Sequence, residues 1–372
     1  MELPEISDFR ELFLRDTPLL DVRAPVEFAD GAFPTARNLP LLEDEERHLI
    51  GIRYKEAGQE AAVDLGRELL DGQPKAQRTA AWKAFVEQHP EGVLYCFRGG
   101  MRSKISQQWI YEATGIAYPR IKGGYKALRN FLLDEIKASC EEIQPVILGG
   151  RTGAGKTIAI RRLENSIDLE GLAWHRGSAF GRHATPQPTQ IDFENRLAIA
   201  LIKHRASPHR HLVLEDESKA VGSRHLPAEL YERMSRSPLV ILEASLEERI
   251  HNSIQEYVTE ALQEYQQIYG EETGFEKWAE YATDSLGRIR KRLGGVRYQE
   301  MNDKLQHAIE ELRRTGRPDA HADWISQLLS DYYDPMYDYQ ISRKSDRIIY
   351  SGNMEQVIHF LEEMNQQTQN DA

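Results

Sequence analysis

The chain has 372 residues, of which 40% are hydrophobic and 28% charged, which favours two globular domains and excludes a disordered or low-complexity chain. Its 47 Lys and Arg residues against 59 Asp and Glu residues give a net charge of −12, which argues against a globally basic nucleic-acid-binding surface. No apolar run approaches the length of a membrane span and the first residues lack the basic charge of a signal peptide, so we expect a cytoplasmic protein without a membrane segment.

The first part of the chain has the pattern of a small α/β domain. Apolar runs predict strands over 19–22 and 93–96, and a long, mostly helical stretch lies between them at about 41–89. A further helical pattern ends near 139–145, where Pro145 opens a new apolar strand. We therefore expect a first domain over residues 1–140 and a second over 141–372.

The second part alternates between strand and helix patterns. The predicted elements are a strand at 145–149, a helix from 156, a strand near 169–174, a helix at 190–205, a strand at 211–215, a helix at 227–235 and a strand at 238–243. Such alternation predicts a parallel sheet covered by helices. The chain then reads as an almost wholly helical insertion over about 246–335, followed by a strand at 347–350 and a closing helix with Asn353 as its N-cap.

Cys96 follows a predicted strand and precedes two glycines and Arg102. A loop of this kind wraps its backbone amides around the sulfur and, with the arginine, holds an anion or a charged sulfur adduct. Cys140 has no such setting and is expected to be a small buried hydrophobe. Two cysteines cannot make a disulfide framework or a four-cysteine zinc site.

The segment from Gly150 to Thr157 matches the phosphate-loop pattern GxxxxGK[ST], directly after a strand and at the start of a helix. Glycines let successive backbone amides converge on phosphate oxygens, Lys156 reaches over them, and Thr157 offers a hydroxyl to Mg²⁺. The predicted phosphate-binding residues are Gly150, Thr152, Gly153, Ala154, Gly155, Lys156 and Thr157. The alternative is a Gly-rich turn with an exposed lysine.

An apolar strand at 211–215 carries Glu215 and Asp216 to the carboxyl edge of the predicted sheet. Either acid could orient Mg²⁺ or water there, and we predict Thr157 and Asp216 as magnesium ligands. The alternative is that these acids only cap the next turn.

Two further groups of residues are predicted to face the same crevice or to form a lid. His175, Arg176, Ser178 and Arg182 lie near the end of the predicted second strand, and Arg288 and Arg292 lie in the basic segment 287–297. The arginines of that segment could close on a diphosphate or contact an RNA backbone. A basic helix face that is merely solvated is the alternative.

Two stretches of the first part resemble signatures of the rhodanese domain. They are the segment from Asp21 to Pro40, DVRAPVEFADGAFPTARNLP, and the segment from Lys122 to Tyr125, KGGY. Five residues separate Cys96 from Arg102, whereas ordinary sulfurtransferases of this fold have four, and the longer spacing is similar to that of related cysteine phosphatases. Such a loop would admit a phosphate-sized anion, which argues against simple thiosulfate sulfurtransfer.

A rhodanese-like domain followed by a P-loop domain resembles the tRNA 2-selenouridine synthase family over nearly the whole chain. Further matches to the family pattern are YCFRGGMRS at 95–103, GLAWHRGSAFG at 171–181, FEN at 193–195, EDES at 215–218, RLGG at 292–295 and YDPMYDYQ at 333–340. The resemblance implies an α/β fold with an N-terminal rhodanese-like domain and a P-loop NTPase-like parallel-sheet domain.

The resemblance also implies a two-step reaction on the wobble 2-thiouridine of tRNA. Geranyl diphosphate alkylates the sulfur, and a selenium nucleophile from selenophosphate then adds at C2 and expels geranylthiol. The phosphate loop would hold the geranyl diphosphate with Mg²⁺ and without ATP hydrolysis, and Cys96 would carry selenium while Arg98 and Arg102 hold the donor. We expect a selenophosphate synthetase as the donor partner and no haem, flavin or nicotinamide.

RNA binding would come from basic strips such as 288–297 and from aromatic stacking on a flipped base by Trp174, Phe180 or Tyr333. The alternative for these three aromatics is that they are core residues. Three alternatives remain at this point: a cysteine phosphatase fused to a P-loop module, an ATP-dependent tRNA sulfurtransferase, and a non-catalytic rhodanese-like binding module. Tyr95 in place of the usual His weighs against the phosphatase, and the presence of Cys96 weighs against the binding module.

Overall fold

The structure, a computed structural model, describes residues 3–370, and for 366–370 it describes the backbone alone. The chain divides into two units. Residues up to Ser139 together with Thr189–Ala206 form the first unit, and Cys140–Pro188 together with the chain from Ser207 onward form the second. The helix predicted over 190–205 is therefore part of the first unit, although it lies between segments of the second unit along the chain.

Short strands and longer helices make up the chain as far as residue 142. The elements are β1 (Glu5–Ile6), α1 (Arg10–Leu14), β2 (Leu19–Asp21), α2 (Pro25–Asp30), β3 (Ala36–Asn38), α3 (Asp44–Leu70), α4 (Gln73–Gln88), β4 (Val93–Tyr95), α5 (Met101–Thr114), β5 (Arg120–Ile121) and α6 (Gly124–Glu142). The predicted helical stretch at 41–89 is confirmed as two helices, α3 and α4.

Strands and helices alternate again from residue 144, and helices then dominate. The elements are β6 (Gln144–Gly149), α7 (Lys156–Arg162), β7 (Ser166–Ile167), α8 (Leu169–Ala173), α9 (Gln190–Ala206), β8 (His211–Glu215), β9 (Ala220–Val221), β10 (Arg224–His225), α10 (Ala228–Arg236), β11 (Leu239–Leu242), α11 (Leu246–Ile254), α12 (Ala261–Tyr269), α13 (Glu271–Leu293), α14 (Gly295–Thr315), α15 (Ala322–Leu328), α16 (Asp334–Ser342), β12 (Ile348–Gly352) and α17 (Met354–Asn370).

The sheet of the first unit has five parallel strands in the order β1, β5, β4, β2, β3. Leu20 on β2 and Leu94 on β4 are fully buried and belong to a core that includes Trp82 of α4. The Trp82 indole N–H also donates to the carbonyl oxygen of Leu39 at 2.9 Å. Strand β4 lies in the middle of this sheet, so Cys96 follows directly on the carboxyl end of the central strand.

The sheet of the second unit is also parallel, with the order β12, β11, β6, β8, β7. Strand β6 is central, and Leu148 on it is in register with Glu215 on β8. The phosphate-loop segment and Glu215 therefore meet at the same carboxyl edge. The predicted α/β class with parallel sheets is confirmed.

One predicted strand is wrong. Residues 169–173 form helix α8, and the strand of this region is the shorter β7 at Ser166–Ile167. The Asp168 carboxylate accepts the backbone N–H of Gly171 at 2.6 Å, which caps the first turn of α8 and makes the helix favourable.

The chain from Leu246 to Ser342 is almost wholly helical, as predicted, and it includes two π-helical turns at Gln255–Glu260 and Leu329–Tyr333. Trp278 and Trp324 are fully buried in the core of these helices. The Trp278 indole N–H donates to the carbonyl oxygen of Tyr257 at 3.1 Å. At the end of the chain, Asn353 caps α17 as predicted, because its side-chain oxygen accepts the Gln356 N–H at 3.1 Å.

Candidate functional site

The phosphate-loop segment has the backbone geometry that its glycines predict. Gly153 and Gly155 have φ values of 79° and 90°, in the left-handed region. A Cβ atom at Gly153 would also lie 2.7 Å from the carbonyl oxygen of Arg249. A larger residue at this position would therefore be both strained and obstructed.

The carbonyl oxygens of the loop are occupied by donors from neighbouring side chains. Arg249 donates to the Thr152 oxygen at 2.9 Å, and Asn252 donates to the Gly153 oxygen at 2.9 Å. Arg249 is 2% exposed and forms an ion pair with Asp334. These two hydrogen bonds stabilise the backbone of the loop at Thr152 and Gly153. No sequence pattern predicted a role for Arg249. Asp334 lies in the family match at 333–340, but its pairing with Arg249 was not predicted.

The Thr157 hydroxyl lies between two carboxylates. Its oxygen is 3.1 Å from an oxygen of Glu170 and 3.1 Å from an oxygen of Glu215. Burial, and then the neighbouring charge of Glu170, raises the pKa of Glu215 to about 8. A positive charge beside Glu215, such as that of a divalent cation, would favour the ionised form of the Glu215 carboxylate.

Asp216, the predicted magnesium ligand, has a different partner. Both of its carboxylate oxygens accept hydrogen bonds from the Lys344 ammonium, at 2.6 and 2.7 Å. The register of β6 and β8 brings Glu215 to Thr157, whereas Asp216 follows the end of β8 and binds Lys344. Of the two acids, Glu215 is therefore the one beside Thr157, and magnesium binding there stays a prediction.

A cavity of about 410 Å³ lies against the phosphate loop. Thr152, Gly153, Gly155, Lys156 and Thr157 line it, while Gly150 and Ala154 belong to the loop without lining the cavity. His175, Arg176 and Ser178 line the same cavity, as the sequence predicts.

The other predicted lid residues are not part of this lining. Arg182 is exposed, and the Arg288 guanidinium donates to the Ala179 carbonyl at 2.8 Å. The Arg292 guanidinium donates to the Tyr332 hydroxyl at 3.2 Å. Both Arg288 and Arg292 are exposed at the end of α13, so in this structure they belong to a basic surface rather than to a closed lid.

His175 is neutral in this cavity. Burial, and then the charges of His183 and Arg182, lowers the pKa of His175 to about 4. The Gly177 N–H lies 3.1 Å from Nδ1 of His175 and donates to it, so the ring proton is on Nε2.

Of the three aromatic residues predicted to stack on a base, only Trp174 is placed to do so. Its side chain is 39% exposed, lines the cavity, and stacks on His183 with ring centroids 3.9 Å apart. Phe180 and Tyr333 are buried in the helical core, where the Tyr333 hydroxyl accepts the Ala179 N–H. The stacking interpretation therefore holds for neither Phe180 nor Tyr333.

The first unit contains a second cavity, of about 740 Å³, around the cysteine loop. Cys96 is 3% exposed and its thiol donates to the Ser103 hydroxyl at 3.2 Å, while that hydroxyl donates to the Gly100 carbonyl. Cys96, Arg98 and Arg102, the predicted catalytic residues, all line this cavity. Their proximity is what an anion-binding cysteine loop requires.

The two glycine motifs of the first unit pack against each other. A Cβ atom at Gly124 would lie 2.2 Å from the carbonyl oxygen of Cys96, and that oxygen accepts the Tyr125 N–H at 2.8 Å. The KGGY segment therefore supports the backbone of the cysteine loop from behind.

Four arginines and two carboxylates line the cysteine cavity. Glu27 accepts two hydrogen bonds from Arg102, at 2.5 and 3.0 Å, and pairs with Arg47 at 3.1 Å. Burial alone would raise the pKa of Glu27, but the hydrogen bonds and charge of Arg102 lower it. Because the four arginines outnumber the two carboxylates, the cavity keeps an excess of positive charge, which suits an anion. Arg47 was missed in the sequence because it lies in a helix with no motif of its own.

Cys140 lies in the second unit and has none of these features. It is buried, and burial raises the pKa of its thiol to about 11. This agrees with the expectation that Cys140 is a small buried hydrophobe.

Among residues 3–370, no helix has the length and apolar character of a membrane span. Among the described side chains, those of residues 3–365, no group of three or more His, Cys, Asp or Glu has the arrangement of a metal site. A magnesium ion at Thr157 and Glu215 would therefore take its remaining ligands from substrate and water.

Comparison with known proteins identifies the family. The model of the tRNA 2-selenouridine synthase AAA domain matches residues 143–368. A tRNA 2-selenouridine synthase of Marinobacter nauticus is 53% identical over 95% of this chain and 96% of its own length. The chain belongs to the tRNA 2-selenouridine synthase family. Those of Bordetella petrii and Sulfurovum sp. are each 51% identical, over 96% and 97% of this chain and 96% and 99% of their own lengths.

Membership of the tRNA 2-selenouridine synthase family makes this chain an enzyme and confirms the recognition from sequence. The family model covers the parallel sheet, the phosphate loop and the helices of the second unit. The assignment of the first unit as rhodanese-like stays a prediction.

Proposed function

We propose that this chain replaces the sulfur of the wobble 2-thiouridine of tRNA with selenium in two steps. Geranyl diphosphate first alkylates the sulfur, and selenium from selenophosphate then displaces geranylthiol. The observation that carries the proposal is the presence in one chain of two cavities whose different linings each suit an anion. One has a phosphate loop and no thiol, and the other has a buried thiol among arginines.

The phosphate loop would bind the diphosphate group of geranyl diphosphate. Its backbone amides and Lys156 stabilise the negative charge that develops as the C–O bond to the diphosphate breaks. Thr157 and Glu215 are the residues that would hold Mg²⁺, which would neutralise further charge on the leaving diphosphate. Alkylation also makes the sulfur a better leaving group, because it departs as a thiol.

The cysteine cavity would bind selenophosphate. Arg98 and Arg102 would neutralise the anionic donor, and the Cys96 thiolate would attack its phosphorus, so that the P–Se bond breaks and selenium leaves as selenide, the nucleophile that adds at C2. Water would then remove the phosphoryl group from Cys96. In the exchange on the base, the selenium–C2 bond forms and the C2–sulfur bond breaks, with the electron pair leaving on sulfur. We expect the donor to come from a selenophosphate synthetase.

The RNA would be bound by local positive charge, since the whole chain is acidic. Arg290, Lys291 and Arg297 are exposed around the turn between α13 and α14 and have the basic character that a phosphate backbone requires. Trp174 supplies an aromatic face for the base.

Mass spectrometry of tRNA nucleosides tests the proposal. The chain is incubated with tRNA carrying 2-thiouridine and geranyl diphosphate, and selenophosphate is added afterwards, with no ATP present. We expect S-geranyl-2-thiouridine first and 2-selenouridine second. Formation of 2-selenouridine without the geranyl product, or only with ATP, would contradict the two-step route.

A further inference from the structure

Glu256 lines the cavity of the phosphate loop, and neither geranylation nor selenation as proposed above uses it. It lies in the π-helical turn Gln255–Glu260, a type of turn that is frequent at functional sites. Asn252, four residues earlier, is fixed to the Gly153 carbonyl at 2.9 Å. Residues four apart share a helix face, so Glu256 lies about one turn from the phosphate loop.

The other carboxylates of this cavity all have hydrogen-bonding partners. Glu170 is bound to Thr157, Glu264 to Arg176 and His183, and Glu260 accepts from Gln255. Among the described side chains, those of residues 3–365, Glu256 accepts no hydrogen bond and forms no ion pair. It is therefore the carboxyl group that remains available to a ligand.

The proposed reaction has a proton to account for. In 2-thiouridine N3 carries a hydrogen, and alkylation of the sulfur makes that hydrogen acidic, so the S-geranyl product has lost it. The C–O bond of geranyl diphosphate breaks, the S–C bond forms, and diphosphate and one proton leave. In 2-selenouridine N3 carries a hydrogen again, so one proton must return when geranylthiol is expelled.

Building on the proposed function, we propose that Glu256 is the acid–base group that takes the N3 proton during geranylation and returns it during selenation. Trp174 in the same cavity would stack on the base, and the phosphate loop would hold the diphosphate. Glu256 then ends the two-step cycle in the protonation state in which it began.

The electrostatics of the cavity suit this role. Burial, and then the charge of Glu170, raises the pKa of Glu256 to about 8, Glu260 acts in the same direction, and Arg176 and Lys156 oppose it. A group that titrates near the working pH both accepts and donates a proton efficiently. His175 is a poor substitute, since its pKa of about 4 makes it a weak base.

The test uses the full-length chain and Glu256→Gln, with Glu260→Gln as the matched control from the same turn. Geranylation is followed by mass spectrometry of nucleosides from pH 6 to pH 9, with the affinity for geranyl diphosphate measured alongside. We expect wild-type geranylation to rise with pH through about 8, as the carboxyl group ionises. Glu256→Gln should lower the rate about 100-fold or more, abolish this pH limb and retain geranyl diphosphate binding. Glu260→Gln should keep the rise with pH, with its midpoint at a lower pH, because the charge of Glu260 contributes to the raised pKa of Glu256.

The selenation step gives an independent readout on tRNA that already carries S-geranyl-2-thiouridine. Here Glu256 acts as the acid, so the wild-type rate should fall above about pH 8 and Glu256→Gln should lack that fall. A shorter carboxylate, Glu256→Asp, should restore part of both activities if Glu256→Gln folds poorly.

Two results would overturn the inference, and they are distinguishable. If the wild type forms S-geranyl-2-thiouridine and Glu256→Gln matches its rate and pH profile, the role of Glu256 fails and the proposed function stands. If the wild type forms no S-geranyl-2-thiouridine at any pH, the proposed function and this inference fail together.

Discussion

The hydroxyl oxygen of Thr157 lies 3.1 Å from a carboxylate oxygen of Glu215. Parallel pairing produces this contact, because Leu148 on β6 is in register with Glu215 on β8. The adjacent Asp216 binds Lys344 instead. Two neighbouring acids of one short segment therefore have separate partners, and substitutions can distinguish their roles.

The first prediction concerns magnesium. Glu215→Gln should weaken the Mg²⁺-dependent binding of geranyl diphosphate about 10-fold or more, because it removes the charge of a ligand. Asp216→Asn should retain the Mg²⁺ dependence, since its charge pairs with Lys344. Titration calorimetry with and without Mg²⁺ measures both. The opposite ranking of the two variants would return the magnesium site to Asp216.

The second prediction concerns the buried ion pair behind the phosphate loop. Arg249→Met should lower the free energy of unfolding by about 3–5 kcal/mol, because it leaves the Asp334 carboxylate and the Thr152 carbonyl without their donor. Arg314→Met breaks an exposed pair with Glu311 and should leave stability close to that of the wild type. Urea unfolding curves compare the two, and equal losses would contradict the role given to Arg249.

The third prediction is a pH dependence at the cysteine cavity. Because the pKa of Glu27 is lowered in the folded chain, its pairing with Arg102 stabilises the fold fully above the unfolded pKa of about 4.3. This stabilisation is lost as the pH falls through the lower, folded value. Glu27→Gln should therefore cost about 1–3 kcal/mol at pH 7, with a smaller cost as the pH approaches 3. Unfolding measured across this range checks it, and a constant difference would contradict it.

The fourth prediction concerns Trp174. Trp174→Ala should weaken tRNA binding by about 1–3 kcal/mol, the usual contribution of one stacked base, whereas Trp174→Phe should retain most of the affinity. Filter binding at fixed salt concentration measures the effect. Equal losses in both variants would show that the indole N–H bond to Thr185, rather than stacking, is what matters.

Local patterns predicted the parts of the fold that depend on neighbouring residues. The strand at 145–149, the phosphate loop and the closing helix have a short-range pattern of apolar residues, glycines and caps, and the structure agrees there. The strand near 169–174 failed because a single side chain, Asp168, caps a helix at that place. A pattern of apolar residues alone cannot distinguish a short strand from one helical turn.

The parts that depend on long-range packing were beyond such patterns. Arg249 and Asp334 are 85 residues apart, and nothing local in the sequence pairs them. Phe180 and Tyr333 were candidates for stacking as aromatic residues, but helices from distant parts of the chain bury them. The choice between Glu215 and Asp216 needed the register of two strands.

The measurement that tests the account most directly is nucleoside mass spectrometry on two variants that affect one cavity each. Cys96→Ala should form S-geranyl-2-thiouridine and no 2-selenouridine. Lys156→Ala should fail to geranylate, yet should convert tRNA that already carries S-geranyl-2-thiouridine into 2-selenouridine. If folded Cys96→Ala retains both products or loses both, the assignment of the geranyl donor to one cavity and the selenium donor to the other is contradicted.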